Sequence, residues 1–459
     1  MLFSSATFLF AFLPVVALLY YLIPKRCTAA RNLFLTGASL LFYAWGEPRF
    51  VLVMLLVIVS SWLFACKIEA SAKSARKGFL LVAVSVDLTV LFVFKYLGFF
   101  TENLNRLPFV RLPVPQITLP IGISFFTFQA ISYVVDVYRG EAAQKSLWDV
   151  MLYIAFFPQL IAGPIVRYSD FADQIHNRQE SLQNWNRGGY RFAIGLGKKV
   201  ILSNNLAYVA DAAFSSVGNL SFSMAWIGAV GYSLQLYFDF AGYSEMSNGL
   251  SLMMGFECPA NFNLPYISGS ITEFWRRWHI SLSGWFRDYI YIPLGGNRCS
   301  AGRQMLNMLA VWALTGIWHG ANWNFICWGL YYFVLLVIEK NFLMKYLKKG
   351  KVWPHIYTLF LVVLGWGLFT CNAPGAPLGL LLSRLFIPQG GGVSALYFLR
   401  NYAVLLVVCC VCSTQLPGRF WQWCKGKAPL RAALCGVCFV LCTAYVVAAT
   451  GSTALYANF

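Results

Sequence analysis

Thirteen apolar stretches recur along the 459 residues, near 6–23, 32–46, 50–66, 79–100, 118–137, 147–163, 188–213, 222–250, 305–339, 354–371, 375–387, 394–413 and 430–450. Crossing a hydrocarbon layer about 30 Å thick takes roughly 17 to 25 helical residues, so several of these are too short to span alone. Within lipid every backbone N–H and C=O must find its partner inside the structure, which selects helices for segments of this length. With 59% hydrophobic and 11% charged residues, the chain does not have the composition of a soluble domain. It is expected to be an all-α polytopic integral membrane protein with the lipid bilayer as its first partner.

The opening "MLFSSATFLFAFLPVVALLYYLIPKR" lacks the basic start and small-residue cleavage pattern of a signal peptide, so it is expected to be a retained first helix. Basic residues sort into alternate loops, with Lys25, Arg26 and Arg31 after the first stretch and Lys67, Lys73, Arg76 and Lys77 after the third. That pattern places the N-terminus outside the cytoplasm. The same reasoning puts 164–187, 258–303, "EKNFLMKYLKKGK" and "RFWQWCKGKAPLR" on the cytoplasmic side. The net charge of +18 then reflects orientation and anionic lipid heads, and no nucleic-acid partner is expected. Most of the thirteen cysteines lie in or beside apolar stretches, where a thiol packs as a small hydrophobe; no metal site is expected. There is no repeat and no long linker, so residues 1–459 read as one integral membrane domain. Gly197-Lys198 lacks the remainder of a phosphate loop, and Ser244 in "GYSEM" lacks the closing glycine of a nucleophile elbow.

Ionisable residues inside apolar stretches are the candidates for chemistry. Met305–Glu339 has basic residues at both ends, so two helices of about 13 and 16 residues meeting at "HGAN" are expected. Each would rise about 20 to 24 Å, less than the membrane core, and leave His319 deep inside it. A single long tilted span is the competing topology. Gly316 and Gly320 permit a break, and His319 is either an interhelical hydrogen-bonding residue or a functional one. Residues 271–298, "ITEFWRRWHISLSGWFRDYIYIPLGGNR", place Phe274, Trp278, Leu282, Trp285 and Tyr289 on one stripe of a continuous interfacial helix. Arg276, Ser283 and Arg287 fall opposite, and His279 lies on the border, in a structural or a catalytic role. Arg276, Arg277 and Arg287 serve either as lipid-head anchors or as contacts for a phosphate-bearing ligand. Asp239, in "SLQLYFDFAGYSEM", must find a partner, and structural pairing is favoured over a role in orienting a cation or lining a channel. Asp87 and Lys95 form a local polar face or an end anchor.

The stretches "LPIGISFFTFQAISYVVDVYRGE" (119–141), "LIAGPIVRY" (160–168), "QLYFDFAGYSEM" (235–246), "NFNLPYISGSITEFWRRWHISLSGWFRDYIYIPLGGNR" (261–298) and "LTGIWHGANWNFICWG" (314–329) resemble the membrane-bound O-acyltransferase (MBOAT) family. Within it they are most similar to the membrane subunits of alginate O-acetylation. Residues of about 119–340 carry the motifs, while in 341–459 only the hydropathy pattern is similar. The resemblance implies an MBOAT-type multi-helix fold of about 11 transmembrane segments, with re-entrant and interfacial helices around a central funnel or tunnel. It implies that His319 is catalytic and His279 a second active-site residue. Trp318, Asn322, Asp239, Tyr237, Arg276, Arg277, Ser283 and Arg287 are the expected supporting or donor-binding residues.

The activity so implied is O-acyl transfer. Acetyl-coenzyme A, or an acyl carrier protein thioester, would approach from the cytoplasm as donor, with no permanently bound cofactor. The acetyl group would pass through periplasmic acetyltransferase partners to an exported polysaccharide, from a protein in a bacterial inner membrane. His319 is expected to take the acceptor's hydroxyl proton, with His279, Asn322 or the Trp318 indole stabilising the oxyanion. A transporter or polymer-export component, with His319 and Asp239 lining a path, is the rival reading. D-alanyl transfer and peptidoglycan O-acetylation are the rivals within the family.

Overall fold

Nearly all the regular structure is helix, as the apolar stretches require, and no strand occurs among the described residues, which in this computed structural model are 1–215, 217–371 and 377–448. Residues 375, 376, 449 and 450 of the expected stretches lie outside them. The chain divides into two compact units, residues 1–192 with 246–259, and residues 193–245 with those from 260 onward.

The first unit contains α1 (Phe8–Leu22), α2 (Thr28–Gly46), α3 (Val51–Ala70), α4 (Lys73–Leu104), α5 (Ile123–Arg139) and α6 (Leu147–Ala155). Of these, α3 and α4 are long and apolar enough to cross a membrane. Helix α5 differs, because it buries Gln129, Ser132 and Asp136 along with its apolar residues. A helix enclosed by protein tolerates polar groups that a lipid-facing one does not. The apolar run 147–163 is interrupted, since Phe156 leaves the helical region (ψ 112°) and Pro158 starts a separate turn. Asp87 of α4 accepts from the Ser61 hydroxyl of α3 at 3.3 Å, and Lys95 donates to Ser124 at 3.0 Å. Arg31, counted from sequence as a loop charge, is instead buried. It pairs with Glu180, which also accepts from Tyr20 and from Arg178 at 3.3 Å.

The second unit begins within α7 (Leu182–Gly197), which passes through a π-turn at Lys198–Ser203 into α8 (Asn204–Phe214). Next come α9 (Phe222–Met253, whose last turns belong to the first unit), α10 (Ile271–Arg277), α11 (Ile280–Phe286) and α12 (Ala301–His319). The remainder are α13 (Trp323–Leu347), α14 (Trp353–Thr370), α15 (Leu378–Phe386), α16 (Ala395–Cys412) and α17 (Ala428–Ala448). Helices α13, α14, α16 and α17 join α3 and α4 as the six described helices long and apolar enough to span. The other apolar stretches are divided among shorter or more polar helices.

Helices α12 and α13 pack against each other across the break at Gly320–Asn322, so the single long span is excluded. Two glycines permit the close approach. A Cβ added at Gly316 would lie 2.4 Å from the Phe325 carbonyl oxygen, and one at Gly329 would lie 2.4 Å from that of Trp312. The first helix is longer than expected, at 19 residues. The Ser300 hydroxyl accepts from the Arg303 N–H at 3.4 Å and starts it on residues 301–304, Ala-Gly-Arg-Gln, which precede the apolar stretch. It therefore rises about 28 Å rather than about 20 Å.

Candidate active site

The expected continuous helix over 271–298 is broken at its histidine. Trp278 is extended (φ −105°, ψ 129°) and His279 is left-handed (φ 46°, ψ 54°), leaving α10 and α11 as separate seven-residue helices. A side chain other than glycine is rarely found in that region. Longer-range bonds hold it there. The Asn263 N–H donates to the Arg277 carbonyl at 2.9 Å, and the Ile280 N–H to that of Asn261 at 3.0 Å, so residues 261–263 run alongside the break.

Each short helix is tied at its start. For α10, the Ser270 hydroxyl accepts from the Glu273 N–H at 3.0 Å. The buried Glu339 carboxylate of α13 accepts from the Ile271 and Thr272 N–H groups, at 2.6 and 2.8 Å, and from the Thr272 hydroxyl at 2.7 Å. A carboxylate there meets otherwise unsatisfied donors and the positive end of the helix. For α11, the Asn261 side-chain oxygen accepts from the Ser281 N–H at 3.2 Å and the Ser281 hydroxyl at 2.9 Å. The same oxygen lies 3.0 Å from His279 Nδ1.

His279 is therefore buried, 2% exposed, rather than on the border of an interfacial stripe. Its ring meets Phe240 of α9 edge-on at 4.6 Å and Trp318 at 6.0 Å between centroids. His319, 6% exposed, is the last residue of α12 and touches Trp318 and Trp328, both at 4.9 Å, and Phe369 at 5.3 Å. Two imidazoles forty residues apart in sequence thus share an aromatic enclosure, with Trp318 between them. Burial, followed by the nearby His319, holds the His279 imidazole well below the ordinary histidine range. Gly320 completes the enclosure, because a Cβ there would collide with the Phe325 ring at 2.2 Å.

The remaining candidates separate into two groups. Asn322 is half-buried at the start of α13, and Tyr237 is buried against Trp278, Phe262 and Tyr266. Asp239 forms a buried ion pair with Lys199, and the Ser203 hydroxyl adds a hydrogen bond at 3.3 Å, so structural pairing is what the geometry gives it. Arg276, Ser283 and Arg287 are exposed. Arg287 pairs with Asp288 at 2.7 Å, while the half-buried Arg277 pairs with Glu273 at 2.8 Å. Among the described residues no group of three or more His, Cys, Asp or Glu is placed to hold a metal ion.

A family model described as MBOAT, membrane-bound O-acyltransferase family, matches residues 49–373. The chain belongs to this family. It is 45% identical to the Probable alginate O-acetylase AlgI of Azotobacter vinelandii, over 80% of this chain and 75% of that one. It is 46% identical to the Probable alginate O-acetylase AlgI of Pseudomonas aeruginosa, over 80% and 72%. With the Peptidoglycan O-acetyltransferase of Helicobacter pylori it shares 36% identity, over 74% and 71%. This MBOAT protein is a multi-pass membrane O-acyltransferase.

Sequence reasoning missed three residues of this MBOAT site and its frame. Asn261 stands in the quoted "NFNLPY" string, but nothing local announces that it bonds across to residues 279–281. Lys199 stands beside the Gly197-Lys198 pair compared with a phosphate loop and was not itself singled out; a lysine inside the apolar stretch 188–213 was the available signal. Glu339, at the end of an apolar run, was assigned to a cytoplasmic loop.

Proposed function

We propose that this protein moves acetyl groups from a cytoplasmic thioester, acetyl-coenzyme A, toward an exported polysaccharide of the alginate type. Periplasmic acetyltransferase partners receive the group, and the protein resides in a bacterial inner membrane. The reading is carried by one observation: two buried imidazoles, His279 and His319, both pack on Trp318, with Trp328 and Phe369 closing the side of His319. Such walls exclude water, which limits thioester hydrolysis. The names of the relatives from Azotobacter and Pseudomonas favour alginate as acceptor, and their identity exceeds that of the peptidoglycan enzyme.

In this reading His319 accepts the hydroxyl proton as the oxygen attacks the thioester carbonyl. The tetrahedral intermediate expels the thiolate, which recovers that proton. The carbonyl end of α12 lies at His319 and favours the transient imidazolium, by about 0.3–1 kcal/mol for such a helix end. The Trp318 indole and Asn322 are the donors assigned to the oxyanion. Arg276, the exposed member of the arginine set, is assigned to donor phosphates.

The test is mass spectrometry of envelope polysaccharides from cells with and without the protein. Loss of O-acetyl from a uronate polymer, restored by the wild-type chain and not by His319→Ala, is expected. Loss confined to peptidoglycan, or of D-alanyl esters, would reassign the acceptor or the acyl group. An unchanged envelope together with an untouched acetyl-coenzyme A pool in vesicles would favour the transport reading.

A further inference from the structure

The tautomer of His279 follows from its neighbours. The Ser281 backbone N–H has only a proton to give, and it points at one Asn261 side-chain atom from 3.2 Å. That atom must accept, so it is the amide oxygen; the flipped amide would set two donors against each other. An oxygen 3.0 Å from His279 Nδ1 requires that nitrogen to carry the hydrogen. In a neutral imidazole the lone pair then resides on Nε2. The amide is itself fixed, since Ser281 bonds it twice and the Asn261 carbonyl accepts from Ile280 at 3.0 Å.

We propose that Asn261 is a positioning residue of the transfer reaction, locking His279 in the Nδ1–H form so that the site receives Nε2 as a proton acceptor and not as an oxyanion donor. This rests on the acyl-transfer reading and deepens it. The expectation that neutral His279 donates to the oxyanion is replaced, and that task stays with Trp318 and Asn322. The groups around the ring are Phe240 from α9, Trp318 and His319 from α12, and the uncharged Asn261 and Ser281. His319 is the titratable neighbour whose charge acts on it. Two coupled imidazoles take up one proton more readily than two. The proton leaving the hydroxyl is therefore held once by the pair, on His319 while the nearby His279 stays neutral with Nε2 as its accepting nitrogen, until the departing thiolate takes it back. The O–H and C–S bonds break, an O–C and an S–H bond form, and both rings end neutral.

The experiment reconstitutes the full-length chain in liposomes supplied with a uronate oligosaccharide as the hydroxyl acceptor and follows transfer of label from acetyl-coenzyme A between pH 5 and 8. Asn261→Ala should lower turnover by about 10- to 100-fold, the usual effect of losing a residue that orients a functional histidine, with the donor KM unchanged. Asn261→Asp keeps the acceptor oxygen, and the buried Nδ2 it replaces has no hydrogen-bond partner in the structure. Its carboxylate favours the imidazolium, so the acid limb of the rate profile should move up by about 1 pH unit or more. A merely structural asparagine would leave that limb in place. An active Asn261→Asp protein with an unmoved limb, or an Asn261→Ala protein at wild-type turnover, overturns the proposal. So does full activity in His279→Ala, which would leave the acyl-transfer reading intact. A wild-type protein that leaves the thioester untouched overturns that reading and this inference with it.

Discussion

Gly316→Ala tests whether the spacing of α12 and α13 positions His319. The new Cβ would lie 2.4 Å from the Phe325 carbonyl oxygen and 3.4 Å from Gly329 Cα, and ordinary contact begins at 3.4 Å. The shortfall against the oxygen is thus about 1 Å, and both opposing atoms are backbone and cannot swing aside. The helices must separate by an amount of that order, and His319 lies three residues, just under a full turn, further along α12. A displacement of about 1 Å at a reacting group costs on the order of 100-fold in rate, and overpacking costs about 1–3 kcal/mol in stability. Gly302→Ala is the control, because it lies on the same helix with nothing within 4 Å of the added carbon. It should leave activity unchanged and stabilise the helix by up to about 1 kcal/mol. The assay is consumption of labelled acetyl-coenzyme A by liposomes containing equal amounts of folded protein and a uronate oligosaccharide as hydroxyl acceptor. Gly316→Ala at more than half the wild-type rate would refute the claim that this contact sets the site.

The lowered proton affinity of His279 carries a sign. Below about pH 6.5 the unfolded chain binds a proton at this residue that the folded chain does not, so stability is complete above that pH and declines as pH falls through it. Thermal unfolding between pH 5 and 8 should show this decline, and His279→Gln should reduce it. Glu339→Ala removes the partner of two N–H groups and a hydroxyl at the start of α10. Destabilisation of about 1–3 kcal/mol is expected, read as a lower Tm. Glu339→Gln should be milder, since its oxygen still accepts. For the buried Lys199 and Asp239 pair, Asp239→Leu alone should cost about 3–5 kcal/mol, and Lys199→Met added to it should recover most of the loss. Equal Tm values for the single and double variants would contradict the pairing.

Much of the frame is legible in the amino acids. The stretches at 50–66, 354–371 and 394–413 became α3, α14 and α16, because long apolar runs have little choice but helix. The break after His319 was legible because Gly320 follows it. Elsewhere hydropathy misplaced a boundary where a capping serine started a helix ahead of the apolar stretch, as Ser300 does for α12. The site's interior was less legible, since its decisive bonds are non-local. A stripe of Phe274, Trp278 and Leu282 satisfies helical periodicity, yet residues 261–263 bond the backbone at 277 and 280 and break it there. Lys199 and Asp239, forty residues apart, and Glu339, sixty-eight residues beyond Ile271, are partners that no local pattern reveals. The two histidines stood out because an ionisable group in an aromatic run needs a reason to be there.

The most direct measurement is the rate at which purified His319→Ala protein, in liposomes supplied with a uronate oligosaccharide as acceptor, consumes labelled acetyl-coenzyme A, beside wild type in the same preparation. A general base of this kind contributes about 100- to 10,000-fold, so the variant should fall by at least about 100-fold. A variant that turns over the thioester at the wild-type rate would contradict the account.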